Sequence, residues 1–221
     1  MGEISAKSGM KTALIAGSTG LIGSQLLQLL LNSDRYSEVV ALTRQDLPEH
    51  PKLKQLKIDF AKLGESLDQF KADDVFCCLG TTMAKAGSKE NFYQVDFYYP
   101  LLLAKSTIQR GAKQFLLVSA LGASRSASVY YNQVKGEIEE AVSTTGFETV
   151  HIFRPSLLLG PRTEHRTGED AAKVVYKIFG FLIPKKYKAI QSSKVAKAML
   201  QLASLEKPGI HIHESQDLQS F

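Results

Sequence analysis

Only two cysteines occur in 221 residues, and they are neighbours, Cys77 and Cys78, inside the apolar run Val75-Phe76-Cys77-Cys78-Leu79. A disulfide-stapled fold is excluded; the pair reads as small hydrophobic thiols in a reducing compartment, with a vicinal disulfide or redox pair as the competing reading. Long hydrophobic runs are also missing: stretches such as Leu157 to Leu159 are far too short to cross a bilayer, so no membrane partner is expected. Residues 1–10 read as an N-terminal tail. Met1 to Gly9 lack the apolar centre of a signal peptide, and Ala6 stands where a myristoylation signal wants Ser or Thr, so the expected location is cytoplasmic. No Pro/Gly/Ser-rich linker, internal repeat or low-complexity stretch divides the rest, and with 44% hydrophobic residues 11–221 read as one domain with a sizeable core. The net charge of +5 comes partly from Lys185, Lys186, Lys188, Lys194 and Lys197. No series of stacking aromatics is interleaved in the way single-strand binders require, so these lysines read as a solvated face and no nucleic-acid partner is expected.

What the chain does have is alternation. Strand-like runs occur at Thr12 to Ala16, Glu38 to Leu42, Leu53 to Ile58, Asp74 to Leu79, Gln114 to Ser119 and Glu148 to Phe153. Helix-like runs occur at Leu21 to Asn32, Phe97 to Arg110, Ser128 to Thr145, Asp170 to Phe179 and Ser193 to Ala203. Right-handed β-α-β units follow, hence an α/β fold, a doubly wound parallel sheet with helices on both faces. In that architecture ligands bind beyond the carboxyl ends of the strands, so the residues just after each strand carry the function.

After the first strand stands Gly17-Ser18-Thr19-Gly20-Leu21-Ile22-Gly23. Glycines at this spacing let backbone N–H groups at a helix N-terminus approach a dinucleotide pyrophosphate, which the helix dipole favours. The second strand ends Ala41-Leu42-Thr43-Arg44, where an NAD-binding chain usually places Asp or Glu for the ribose hydroxyls. A guanidinium there suits a 2′-phosphate and predicts NADPH (NADP) over NADH, although Asp46 is close and an ordinary surface arginine is the competing reading. Asp59-Phe60 follows the third strand at a place suited to adenine, with Phe60 equally well a core residue. Leu79-Gly80-Thr81-Thr82 follows the fourth, a glycine for close approach and two hydroxyls near a ribose, or else a plain turn.

Tyr131 and Lys135 lie four residues apart on a predicted helix and share a face. With 8 tyrosines and 27 basic residues, about one such pair is expected by chance, so context matters more than the motif. Tyr130, Val134, Ile138 and Val142 form their own four-spaced apolar row, assigning Tyr130 to the core and Tyr131 and Lys135 to the adjoining stripe. Ser119 ends the preceding strand, within range of the same cleft. Together with Cys77-Cys78-Leu79-Gly80-Thr81-Thr82, Val118-Ser119-Ala120-Leu121-Gly122-Ala123 and Phe153-Arg154-Pro155-Ser156-Leu157-Leu158, these motifs resemble the short-chain dehydrogenase/reductases, and within them the atypical, Tat-interacting-protein-like branch, from about Lys11 onward. The resemblance implies a Rossmann-type fold with bound NADPH. It also implies a Ser-Tyr-Lys catalytic set at Ser119, Tyr131 and Lys135, and cofactor contacts from the glycine turn, Arg44, Leu79, Gly80 and the loop from Pro155 through Leu158 to Arg162.

His211 and His213 alternate on a late strand-like segment and point to one face, as two metal ligands would, but no third ligand is evident and a surface pair on an edge strand is the expected reading; no metal is predicted. The polar segment Arg162 to Glu169, with His165, reads as a lid over substrate or an ordinary connection. The leading functional expectation is an NADPH-dependent oxidoreductase acting on a small carbonyl substrate, with Tyr131 as proton donor and Ser119 donating to the carbonyl oxygen. The rival is a regulatory or scaffold protein that binds NADPH and presents a surface to a protein partner. A nucleotide-sugar epimerase or dehydratase is disfavoured because the region after Phe153 is short, leaving only a small C-terminal substrate region. Kinase-type motifs are absent.

Overall fold

The computed structural model describes residues 10–59, 71–160, 184 and 187–221. Seven strands form one sheet: β1 (Lys11–Ala16), β2 (Tyr36–Thr43), β3 (Leu53–Lys57), β4 (Asp74–Cys77), β5 (Gln114–Val118), β6 (Thr149–Arg154) and, after a two-stranded pair β7 (Leu158–Leu159) and β8 (Ile190–Gln191), the edge strand β9 (Gly209–Glu214). Their order is β3-β2-β1-β4-β5-β6-β9, and every neighbouring pair is parallel. The order reverses between β1 and β4, so both adjoining loops leave in opposite directions and open a crevice at the strand ends.

Central parallel strands must be apolar on both faces, and β1 shows why the sequence complies. Ala13 and Ile15 enter one core with Leu26, Leu27 and Leu30 of helix α1 (Gly23–Leu31), while Leu14 and Ala16 enter the other. Each fully buried leucine contributes about 1.5–3 kcal/mol. Cys77 and Cys78 are free thiols, the first buried in one core and the second half-buried against the other; burial pushes the Cys77 thiol up to about 12, so it stays protonated.

Two short helices, α2 (Met83–Ala86) and α3 (Lys89–Tyr93), follow β4. The chain then makes a π-helical turn (Gln94–Tyr98), which begins before the expected helix start at Phe97, and continues as α4 (Tyr99–Ile108). Pro100 supplies the reason: it has no N–H for the carbonyl four residues back, and the backbone widens so that Tyr99 N–H donates to the Gln94 carbonyl instead. Helix α5 (Tyr130–Ser143) precedes β6, and α6 (Ser192–Ser204) and α7 (Ser215–Leu218) complete the described elements. The expected helix Asp170 to Phe179 and the lysines at 185 and 186 lie outside the described residues. Among the described residues no helix is long and apolar enough to cross a membrane.

Candidate active site

The turn after β1 is built so that side chains are excluded. Gly17 has φ +83°, and a Cβ there would stand 2.5 Å from the Cys78 carbonyl oxygen; a Cβ on Gly23 would overlap the Gly17 carbonyl. The turn closes with Gly20 N–H donating to Gly17 O at 3.0 Å, and α1 starts without a side-chain cap on its first N–H groups. Ser18 is buried, and its hydroxyl has no partner among the described residues. A buried hydroxyl without a partner is costly unless something polar completes it. The residues therefore fit a phosphate group, with the hydroxyl and uncapped N–H groups as donors. Thr19 and Gly20 are exposed and Leu21 half-buried, whereas Ile22 belongs to the apolar core and has only its backbone to offer.

Around this cradle the strand ends gather. Arg44 is exposed just after β2 and makes no ion pair or hydrogen bond among the described residues; Asp59 is exposed after β3. Phe60 and Arg162, with the segment containing His165, lie outside the described residues. Pro155 is buried and its carbonyl accepts from Leu121 N–H at 2.9 Å. Leu158 is half-buried in β7, and a Cβ on Gly160 would sit 2.9 Å from a Leu21 methyl, so the chain after β6 returns onto the glycine turn. Thr82 caps α2, its hydroxyl accepting Lys85 N–H at 3.3 Å.

The loop Leu79-Gly80-Thr81 connects cradle to helix α5. Lys135 is buried there, and its Nζ lies 2.7 Å from Oδ1 of Asp96, itself wholly buried on the π-helical turn. The other oxygen of Asp96 accepts Thr81 N–H at 2.8 Å, and a Cβ on Gly80 would stand 3.4 Å from Asp96 Oδ1 and 3.6 Å from Lys135 Nζ. Burial alone would lower the lysine's pKa, but the Asp96 carboxylate and the Tyr131 phenol outweigh it and hold it above the ordinary value. Tyr131, half-buried one turn before Lys135, packs its ring 5.5 Å from Phe92. Val134, Ile138 and Val142 are fully buried as expected of their row, but Tyr130 is only half-buried: at the first position of α5 its ring meets Phe92 and its hydroxyl donates to the Lys89 carbonyl.

Ser119 is buried, and its hydroxyl donates to Oε1 of Glu139 in a short hydrogen bond. Glu139 is held in turn by Arg154, Nε to Oε1 at 3.0 Å and Nη2 to Oε2 at 2.6 Å, and Arg154 Nη1 reaches Glu214 at 2.9 Å. The proton expected to point at a substrate carbonyl thus points at a carboxylate. Two residues of the site were not anticipated. Glu139 continues the four-spaced series Tyr131, Lys135, Glu139, a signal the sequence carries; Asp96, a lone carboxylate between Val95 and Phe97, has no such pattern.

A model of the NAD-dependent epimerase/dehydratase family matches residues 13–145. The chain belongs to that family. Among curated relatives, Protein HTATIP2 of Rattus norvegicus is 38% identical over 207 residues, covering 90% of this chain and 83% of that protein. Protein FMP52, mitochondrial, of Candida albicans (strain SC5314 / ATCC MYA-2876) is 34% identical, covering 87% of each. The solved structure of the Bordetella bronchiseptica enzyme WbmH in complex with NAD+ is similar in fold, with a TM-score of 0.71 at 16% identity over 93% of this chain and 76% of that one. These likenesses place this epimerase/dehydratase-family protein with the atypical short-chain dehydrogenase/reductases.

His211 and His213 do lie on an edge strand, β9, but a third imidazole joins them: His151 of β6 stacks at 5.1 Å from His211 and 5.2 Å from His213. Its Nδ1 is 2.9 Å from His213 Nε2. Among the described residues no group of three or more His, Cys, Asp or Glu is arranged to hold a metal ion.

Proposed function

We propose that this protein is an NADPH-dependent oxidoreductase of small carbonyl compounds. The observation that carries the reading is the buried Lys135 locked beside Tyr131 under the Gly80 backbone, at the crevice that the glycine turn also borders. The turn Gly17 to Gly23 would hold the pyrophosphate, Arg44 the 2′-phosphate, Asp59 the adenosine end, and Leu79, Gly80 and Lys135 the nicotinamide end. WbmH, similar in fold, is in complex with NAD+, which supports a nicotinamide dinucleotide at this crevice; the 2′-phosphate reading rests on Arg44 alone. When bound, the reduced nicotinamide supplies a hydride.

The residues of the chain handle the proton. Tyr131 would release its phenolic proton to the oxygen that becomes an alkoxide, and the Lys135 ammonium, kept charged by Asp96, stabilises the phenolate left behind. Ser119 would donate to the carbonyl oxygen only after its hydroxyl turns away from Glu139, which accepts its proton in this structure. That same engagement favours a second reading, a regulatory protein that binds NADPH without turnover, because one member of the Ser-Tyr-Lys set then offers no donor to a carbonyl. Purified protein mixed with NADPH and a panel of aldehydes, ketones and quinones, followed by the absorbance of the reduced nicotinamide, separates the two. Oxidation with at least one substrate class is expected; binding without oxidation by any of them would transfer the assignment to the regulator. Work in the cytoplasm is part of the proposal, against the mitochondrial designation of the FMP52 relatives, and cell fractionation decides between them.

A further inference from the structure

We infer that Lys57 is a specificity-determining residue for the 2′-phosphate of the dinucleotide, a step that rests on the NADPH reading of Arg44 and adds a cation that reading does not use. Strands β2 and β3 end together: Thr43 is in register with Lys57, and Ile58 N–H donates to the Thr43 carbonyl at 3.0 Å. The chain then leaves β2 through Arg44, Gln45 and Asp46, a turn fixed by the Thr43 hydroxyl, which donates to the Gln45 carbonyl at 2.7 Å and accepts Gln45 N–H at 3.1 Å. Across the strand ends the Lys57 ammonium reaches this same turn, Nζ lying 2.7 Å from Asp46 Oδ1.

The two side chains are 61% and 81% exposed, and a pair so exposed adds little to folding. Its effect falls on the charge of the turn. Arg44 and Asp46 alone sum to zero; Lys57 brings the cluster to one net positive charge. A phosphate monoester carries about −1.5 to −2 charges, so the carboxylate of Asp46 would repel it unless neutralised. Lys57 neutralises that carboxylate, and by occupying it also withholds it from a ribose 2′-hydroxyl, the group that NADH would present. Arg44 then contributes paired hydrogen bonds and Lys57 a mobile point charge. Both effects tilt the site toward the phosphorylated cofactor.

The test is calorimetric or fluorescence titration of NADPH, NADH and adenosine 2′,5′-bisphosphate into the wild type, Lys57→Gln, Asp46→Asn, the Asp46→Asn/Lys57→Gln double variant and Arg44→Gln. Lys57→Gln is expected to weaken NADPH and the bisphosphate about tenfold while changing NADH by about twofold or less. The double variant, again at one net positive charge, is expected to recover part of that loss. If Lys57→Gln leaves the NADPH-to-NADH preference intact while Arg44→Gln collapses it, the role of Lys57 is overturned and the reading of Arg44 stands. If Lys57→Gln weakens both cofactors equally, its role is likewise overturned. If neither variant alters the preference, the NADPH reading itself falls.

Discussion

At the scale of single residues the site turns on a buried ion pair. Removing one partner of such a pair leaves the other charge uncompensated and costs about 3–5 kcal/mol, far more than the pair contributes net. Asp96→Asn should therefore lower the melting temperature, and it should do something a purely structural defect would not. Asp96 is the largest of the groups that hold the Lys135 pKa above its ordinary value against burial. Without it burial dominates, the lysine loses its proton at lower pH, and the alkaline limb of the pH–rate profile moves toward neutrality; an unmoved limb would deny Asp96 this role. Tyr131→Phe removes only a proton donor, so turnover should drop about 10²–10⁴-fold with NADPH affinity nearly unchanged. Equal turnover by that variant would dismiss Tyr131. The contrast shows what was legible. Tyr131 and Lys135 are neighbours through helical spacing, which a sequence displays, whereas Asp96 meets Lys135 only because a π-helical turn and a different helix fold against α5, and nothing local in Val95-Asp96-Phe97 announces it.

Among the elements, the seam expected to answer to pH lies between β6 and β9, where three imidazoles stack. The six early strands were readable as short apolar runs alternating with helix-like stretches, with ends displaced by one or two residues: β2 gains Tyr36 and β6 gains Arg154, while β4 stops at Cys77. Helices α2 and α3 were not, since four or five residues cannot display a 3.6-residue period. Nor was the histidine stack, because His151 joins His211 and His213 only through the pairing of β6 with β9. Burial, with neighbouring imidazoles, lowers His151 to about 4, and burial and His211 lower His213 as well. Folded-state values below the unfolded value near 6.5 mean that the neutral stack is favoured above that pH and its contribution fades as pH falls from 6.5 toward 4. Acid should cost about 2 kcal/mol or less across that window once solvent screening is allowed for, and should loosen β9 first, because an edge strand has one ladder. Hydrogen exchange of the 209–214 amides at pH 7 and pH 4.5 measures it. His151→Phe keeps a planar ring and removes the titration, so its pH dependence should flatten; an unchanged acid response would place the sensitivity elsewhere.

For the whole molecule, alternation of strands and helices was enough to anticipate a parallel doubly wound sheet, because right-handed crossovers leave few ways to arrange it. The return of the chain through β7, β8 and α6 onto the first turn was not readable, since it depends on long-range contacts such as Gly160 against Leu21 and the Gln25 amide donating to the Ser192 hydroxyl. That closure makes the glycine turn the place where ligand binding and global stability meet. A ligand that binds only the folded state stabilises it by about 2.7 kcal/mol at a hundred times its Kd, which for a chain of this size raises Tm by about 5–10 °C. NADPH should produce that rise in the wild type. Gly23→Ala would drive a methyl into the Gly17 carbonyl, so β1 and α1 must separate and the N–H groups that Ser18 borders lose their aim. The variant should melt lower and gain almost nothing from NADPH at the same concentration. Were it to keep the full ligand-induced rise, the dinucleotide would be held somewhere other than this turn, and the placement of Arg44, Lys57 and Lys135 around it would have to be abandoned.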